Sequence, residues 1–213
     1  MKEGLILVGG GGHCRSCIDV VEAEGRFSIL GIVDIEQKVG QDVFGYPIIG
    51  HDGDLPSLAR DGHAFLVTIG QITTASPRVR LFARLLSLGA KLASVISPSA
   101  YVSKRAAVGQ GTIIMHHALV NCGAQVGKNC VINTKALIEH DASVADHCHI
   151  STGAAVNGGA RVSERAFLGS GSVVWNQVTV GPDVVVSAGS LVRKDIEAAG
   201  VYAGYPLRRM GAR

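Results

Sequence analysis

The chain has 213 residues, room for one sizeable or two modest domains, and is 47% hydrophobic but only 5% aromatic, which points to a core of small aliphatic side chains. A formal charge of +3 without any basic block gives no reason to expect nucleic acid or an anionic membrane as a partner. No segment is apolar for long enough to span a bilayer, and an odd number of cysteines, five, suits free thiols in a reducing compartment, so a cytoplasmic protein with no membrane insertion is expected.

Taken in order, Leu5 to Val8 is a short apolar run that ends in Gly9, Gly10, Gly11, Gly12 and His13. Cys17, Ile18, Val20 and Val21 then mark a helical face that stops at Gly25, and a second run, Ile29 to Val33, ends at Asp34. Strand, glycine loop, helix, strand and acidic residue make the first half of a nucleotide-binding unit. The glycines let backbone N–H groups approach a phosphate, and Asp34 is placed to accept from a ribose hydroxyl. Cys14 and Arg15 stand where G-x-G-x-x-G would need its third glycine, which argues against a dinucleotide. Cys14 and Cys17 form a C-x-x-C without a second ligand pair, and are expected as small residues at a helix start.

Ala64 to Ile69 reads as a third strand. Ser76 and Pro77 follow as the cap and first position of a helix whose apolar side carries Val79, Leu81, Phe82, Leu85 and Leu86. Leu92 to Ile96 reads as a fourth strand. Residues 1–97 are therefore expected as a small Rossmann-like parallel α/β domain.

From Val102 to Val192 a Val, Ile or Leu falls on every sixth residue, and four residues after each, up to Val186, stands something small or β-branched, as at Ala118, Cys130 and Ser172. Neither a helix nor an ordinary strand has that period, whereas a hexapeptide parallel β-helix does, with one side chain inward per strand and a small residue at each corner. Residues 98–193 are assigned to it. Cys130 and Cys148, eighteen residues apart, stack at one corner as core fillers, and the tail 194–213 is expected to cap the open end.

Function has to come from polar groups that break the pattern. His140 and Asp141 take the third and fourth places of the hexad begun by Ile138, at a corner where neighbouring side chains both reach outward. A carboxylate on one ring nitrogen holds an imidazole in one tautomer and makes it more basic, which suits a general base. Gly158, eighteen residues on, clears space beside the ring. A metal site from His140, Asp141, His147, Cys148 and His149 is disfavoured, because Cys148 falls on an inward place and the spacing closes no known site; no metal is expected. His116 and His117 are corner or interface residues without assigned chemistry.

The hexapeptide run, the opening Leu5 to His13, the stretch Ile138-Glu139-His140-Asp141 with His147 to Ser151, and the tail Gly204-Tyr205-Pro206 together resemble the left-handed β-helix sugar acetyltransferases, a family that includes bacillosamine-pathway N-acetyltransferases and sialic acid O-acetyltransferases. The resemblance implies a left-handed helix and an acetyl-CoA-dependent enzyme that N-acetylates a UDP-linked amino sugar, with His140 as general base and Asp141 as its partner. It implies a nucleotide-sugar against Gly10, Gly12, His13, Asp34 and Gly70. Acetyl-CoA is implied near His149, Gly158, Ser170 and Ala188, between subunits of a homotrimer. O-acetylation of a sialic acid or related nonulosonate, and a non-catalytic nucleotide-sugar-binding solenoid, are the rival readings.

Overall fold

The structure, a computed structural model, describes residues 2–211. Strand β1 (Glu3–Val8) leads through the glycine loop into helix α1 (Gly12–Glu24), which buries Cys14, Cys17, Ile18, Val20 and Val21 on one face. Gly25 ends it in a left-handed conformation, with φ of 79° and its N–H on the Val21 carbonyl. Strand β2 (Phe27–Asp34) lies parallel to β1. Three short elements escape the sequence reading: β3 (Asp42–Val43), β4 (Tyr46–His51), which is parallel to β2, and the helix Leu55–Arg60. After α2 (Leu55–Arg60) come β5 (Ala64–Val67), α3 (Ser76–Ser87) and β6 (Lys91–Leu92). The sheet thus has six strands in the order β3-β4-β2-β1-β5-β6, all parallel except for the β3/β4 hairpin. Its core divides in two: α1 covers one face through Leu5, Leu7, Ile32 and Ile48, and α3 covers the other through Ile6, Val8, Phe65 and Val67.

Three local expectations are corrected. Ser76 is the first helical residue rather than the cap; its N–H donates to Thr74 Oγ1 at 3.1 Å, so the threonine serves the helix start. The buried side of α3 is Arg78, Leu81, Phe82 and Leu85, while Leu86 faces solvent. The run Leu92 to Ile96 is also not one strand. It breaks after Leu92, and Val95–Ile96 pairs with Ile113–Ile114 as the first strand of the solenoid.

The solenoid is a three-sided prism of two-residue strands, each paired in parallel with the strand eighteen residues on. The second residue of each strand points inward, and from Ile114 to Val192 the hexad positions are buried and form a single apolar column with the small corner residues. The first residue points outward, and its character sorts the faces. On the first face Val95, Ile113, Val131, His149 and Phe167 are buried, the first three in the same apolar cluster as α1. The second face presents Leu119, Leu137, Ala155 and Val173, half-buried, and the third presents Gln125, Ser143, Arg161 and Thr179. At the top, Gly200–Ala203 adds to the first face beside Val184–Val186, and Tyr202 and Leu207 pack on the end of the core, so the tail up to residue 211 closes the prism. Ala212 and Arg213 lie outside the described residues.

Among the described residues no helix is long and apolar enough to cross a membrane, and no group of three or more His, Cys, Asp or Glu is arranged to hold a metal ion. Cys130 and Cys148 are free thiols that donate to the Ala145 and Ser163 carbonyls at 3.1 and 3.0 Å. Burial pushes the Cys14 thiol up to about 11 and that of Cys17 higher still, so the C-x-x-C is packing material.

Candidate active site

His140 and Asp141 stand exposed at the corner between the second and third faces, opposite the face that carries the N-terminal domain. Two adjacent residues share one side because Asp141 has φ of 58°, in the left-handed region. The fourth place of each hexad from Gly111 to Gly189 does the same, held by Gly, Asn, Asp and longer polar residues. The turn swings the Asp141 carboxylate back onto the imidazole, with Oδ2 2.9 Å from Nδ1. A carboxylate only accepts, so Nδ1 carries the proton and Nε2 keeps its lone pair. The same hydrogen bond raises the pKa of His140 above its ordinary value.

Glu139 steadies the turn from the other side: Oε2 accepts from the His140 N–H at 2.9 Å and from Asn121 Nδ2 at 2.9 Å. Gly158 sits above the ring, where a Cβ would lie 2.7 Å from Nε2 and 2.8 Å from Cε1. Among the described residues no acceptor meets the Gly158 N–H, unlike those of His140 and Cys122 one and two coils below, which are taken by Glu139 and Asn121. The corner therefore offers a base, a clear space at its nitrogen and a free backbone donor beside it.

The glycine loop is built differently. Gly10 donates to Asp34 Oδ2 at 2.7 Å, and Lys38 Nζ reaches the same oxygen at 2.9 Å. Burial works to raise the Asp34 carboxyl, but the hydrogen bonds from Lys38, Ile35 and Gly10 outweigh it and hold it below its ordinary value. Gly11 and Gly12 have open space where a Cβ would be, so their side of the loop is accessible. Gly70 lies against His13, with 3.4 Å between its Cβ position and that of the histidine. Gly10, Gly12, His13, Asp34 and Gly70 are thus brought together at the carboxyl ends of β1, β2 and β5, the usual ligand end of such sheets.

The four residues expected near acetyl-CoA are not gathered within one chain. Gly158 belongs to the His140 corner. Ser170 and Ala188 lie on the corner between the first and second faces, where Ser170 Oγ is 3.1 Å from Ser151 Oγ. His149 is 6% exposed on the first face, its Nδ1 donating to the Gln71 carbonyl at 3.0 Å and its Nε2 meeting Asn133 Nδ2 at 3.2 Å. Its ring is 5.9 Å from that of His13, so a residue expected on the cofactor side sits beside one expected on the acceptor side. His116 bridges the domains, with Nε2 2.7 Å from Asp19 Oδ2 and Nδ1 2.7 Å from Ser97 Oγ. Asn121, Gln71 and Arg78 went unnoticed in the sequence, and Glu139 and Asn133, though within the stretch singled out there, were given no role. The eighteen-residue spacing of Asn121 below Glu139 was the one available signal.

Residues 4–85 match the PglD N-terminal domain family. PerB from Caulobacter crescentus, solved in complex with CoA and GDP-perosamine, is 34% identical, with 98% of this chain and 97% of that one covered at a TM-score of 0.91. The acetyltransferase domain of PglB from Neisseria gonorrhoeae, solved with acetyl coenzyme A, is 30% identical over 99% of this chain and 100% of that one, at a TM-score of 0.90. WeeI from Acinetobacter baumannii, at 20% identity and a TM-score of 0.81 over 98% and 100%, shares the fold. No curated protein sequence matches the chain. A glycine-loop α/β domain seated on one face of a left-handed hexapeptide prism defines a class of acyltransferase architecture. Within it, this chain belongs to the hexapeptide-repeat sugar N-acetyltransferase family.

Proposed function

We propose that the protein transfers the acetyl group of acetyl-CoA to the amine of a nucleotide-linked amino sugar, with His140 as general base. The observation that carries the reading is the Asp141-anchored imidazole, whose free Nε2 points into space kept open by Gly158. The amine attacks the thioester carbonyl as Nε2 takes its proton, the unpaired Gly158 N–H receives the developing oxyanion, and as the C–S bond breaks the imidazolium passes that proton to the sulfur, so that CoA leaves as its thiol and the base is restored. Structures of a relative with one histidine changed to asparagine or alanine hold both CoA and GDP-perosamine, which is how loss of a base, rather than of a binding group, behaves.

The acceptor is held by Gly10, Gly12, His13, Asp34 and Gly70. Because that loop lies across the prism from His140, the site is completed by a second copy. A homotrimer that turns the apolar second face toward its axis sets the His140 corner of one subunit against the next subunit's corner with Ser170 and Ala188. The neighbour's glycine loop and His149 lie close by on the first face. Acetyl-CoA then runs between the subunits, along Gly158 on one side and Ser170 and Ala188 on the other. The acceptor nucleotide is UDP, as the resemblance implies; the complex of PerB with GDP-perosamine favours GDP as the second reading.

Release of free thiol from acetyl-CoA, followed with UDP-amino sugars, GDP-amino sugars and free sialic acid, tests the reading, with the oligomer sized by light scattering. His140→Ala is expected to lower turnover by about 10²–10⁴-fold. Activity on free sialic acid alone, or a His140→Ala enzyme near the normal rate, overturns it.

A further inference from the structure

One aromatic side chain stands on the prism where its column is otherwise polar. Trp175, the only tryptophan of the chain, is 42% exposed in the place that Asn157 and Glu139 hold one and two rungs below. Arg193, one rung above, lays its guanidinium over the indole, with Cζ 4.3 Å from the ring centre, and its Nη1 donates to the Tyr205 hydroxyl at 3.4 Å. A planar cation stacked on a ring and tied at one nitrogen is fixed in direction, and its other N–H groups stay available.

Lys194 follows in the His140 column, and the two cations line a cleft of about 940 Å³ at the end of the prism. The cleft also holds Glu197, Asp195, whose Oδ1 accepts from the Thr179 N–H at 2.8 Å, and Arg209, whose Nη2 donates to the Ala199 carbonyl at 2.6 Å. Among the described residues neither Arg193 nor Lys194 pairs with a carboxylate.

Distance from the base gives this pair its use. Arg193 and Lys194 lie three rungs above Glu139 and His140, about 14 Å along the prism. In acetyl-CoA about thirteen bonds separate the thioester sulfur from the nearer phosphorus, the length of just over four residues of extended chain, or about 15 Å. A thioester at His140 therefore sets the diphosphate beside the two cations when the arm lies straight along the column. On the way Gly158 leaves the wall bare, and Asn176 Nδ2, 3.3 Å from where a Gly158 Cβ would be, offers a donor to the amides of the arm.

We infer that Arg193 and Lys194 bind the phosphates of acetyl-CoA, and that Trp175 is a positioning residue that holds the Arg193 guanidinium toward them. The guanidinium presents paired N–H donors that match phosphate oxygens, and the ammonium adds a point charge. The inference rests on the proposed transfer for where the thioester lies.

Because Trp175 is the only tryptophan, its emission reads occupancy without turnover. Titrating the full-length protein with CoA, and with adenosine 3′,5′-bisphosphate, changes that emission saturably, and both affinities weaken as salt is raised. In Arg193→Met both affinities fall by about 10–100-fold. The kcat/KM preference for acetyl-CoA over S-acetylpantetheine, which carries no phosphate, shrinks by the same factor. Trp175→Phe keeps a ring beneath the guanidinium and keeps the preference, whereas Trp175→Ala loses most of it. Emission unmoved by saturating CoA, or a loss in Arg193→Met shared equally by the two thioesters, overturns the phosphate site. Trp175→Phe no better than Trp175→Ala overturns the positioning role. If both ligands move the emission but no acceptor is acetylated, the proposed function fails and the phosphate site stands.

Discussion

Replacing Gly158 with alanine separates two accounts of that residue. Gly158 is not in the left-handed region, so alanine strains no backbone there. Its Cβ, however, would sit 2.7 Å from His140 Nε2. An ordinary contact is near 3.5 Å, so the ring must retreat by roughly 0.8 Å or rotate off the Asp141 carboxylate. Misplacement of a reacting group by about 1 Å can cost about 10²-fold in rate, and Gly158→Ala should lower kcat by about 10–10²-fold. Thiol release under saturating acetyl-CoA and acceptor measures it, beside thermal unfolding, which should stay within about 2 °C of the wild type. Gly159→Ala is the control. Gly159 has φ of 67°, and a Cβ there would meet only Gln177 Cγ, at 3.4 Å, so alanine costs about 1–2 kcal/mol of stability without reaching the ring. A Gly158→Ala enzyme with normal kcat and only a raised KM for acetyl-CoA refutes the steric account and leaves the glycine as a cofactor contact.

Asp141→Asn keeps a residue that tolerates the left-handed turn but removes the charge on Nδ1–H, so His140 loses the main cause of its raised pKa. The acid limb of kcat/KM, where the base becomes protonated, should move to lower pH while the plateau falls; a limb that stays in place removes Asp141 from the base. Asp34→Ala frees the Gly10 N–H and Lys38, costing about 1–3 kcal/mol and raising the acceptor KM, measurable by urea unfolding and initial rates. Because the Asp34 carboxyl is held below its unfolded value, its contribution is complete above that value and fades as pH falls through the folded one; a difference from Asp34→Ala that grows on acidification contradicts this. Ile138→Ala, beneath the dyad and 0% exposed, should cost about 2–5 kcal/mol and lower Tm without shifting the pH limb.

The prism was legible because its rule repeats without insertion, so each Val or Ile at the sixth place reinforces the others. β4 was not, since Pro47 and Gly50 within Tyr46–His51 imitate a loop, and only pairing with β2 makes it a strand. Arg78 was missed for a related reason. On an amphipathic helix an arginine reads as solvent-facing, and only the solenoid pressed against α3 buries it. The His140–Asp141 pair was visible as a spacing, but what turns it into a dyad is the backbone conformation of the fourth place. Periodicity of side-chain type carries no record of φ, although the many glycines at that place were a trace of it. His149 was placed with the cofactor by likeness, and its burial depends on Gln71, seventy-eight residues away in the chain.

The recurring left-handed place also makes the corner column interchangeable along its length. Cys122, His140, Gly158 and Asn176 occupy equivalent rungs about 4.8 Å apart, each followed by a residue whose backbone is already bent to return toward it. A catalytic pair can then be raised or lowered by one rung through side-chain exchange alone, with the main chain untouched. If the proposed reaction holds, such a scaffold sets the distance between base and glycine loop in steps of one rung, like the stops on a slide.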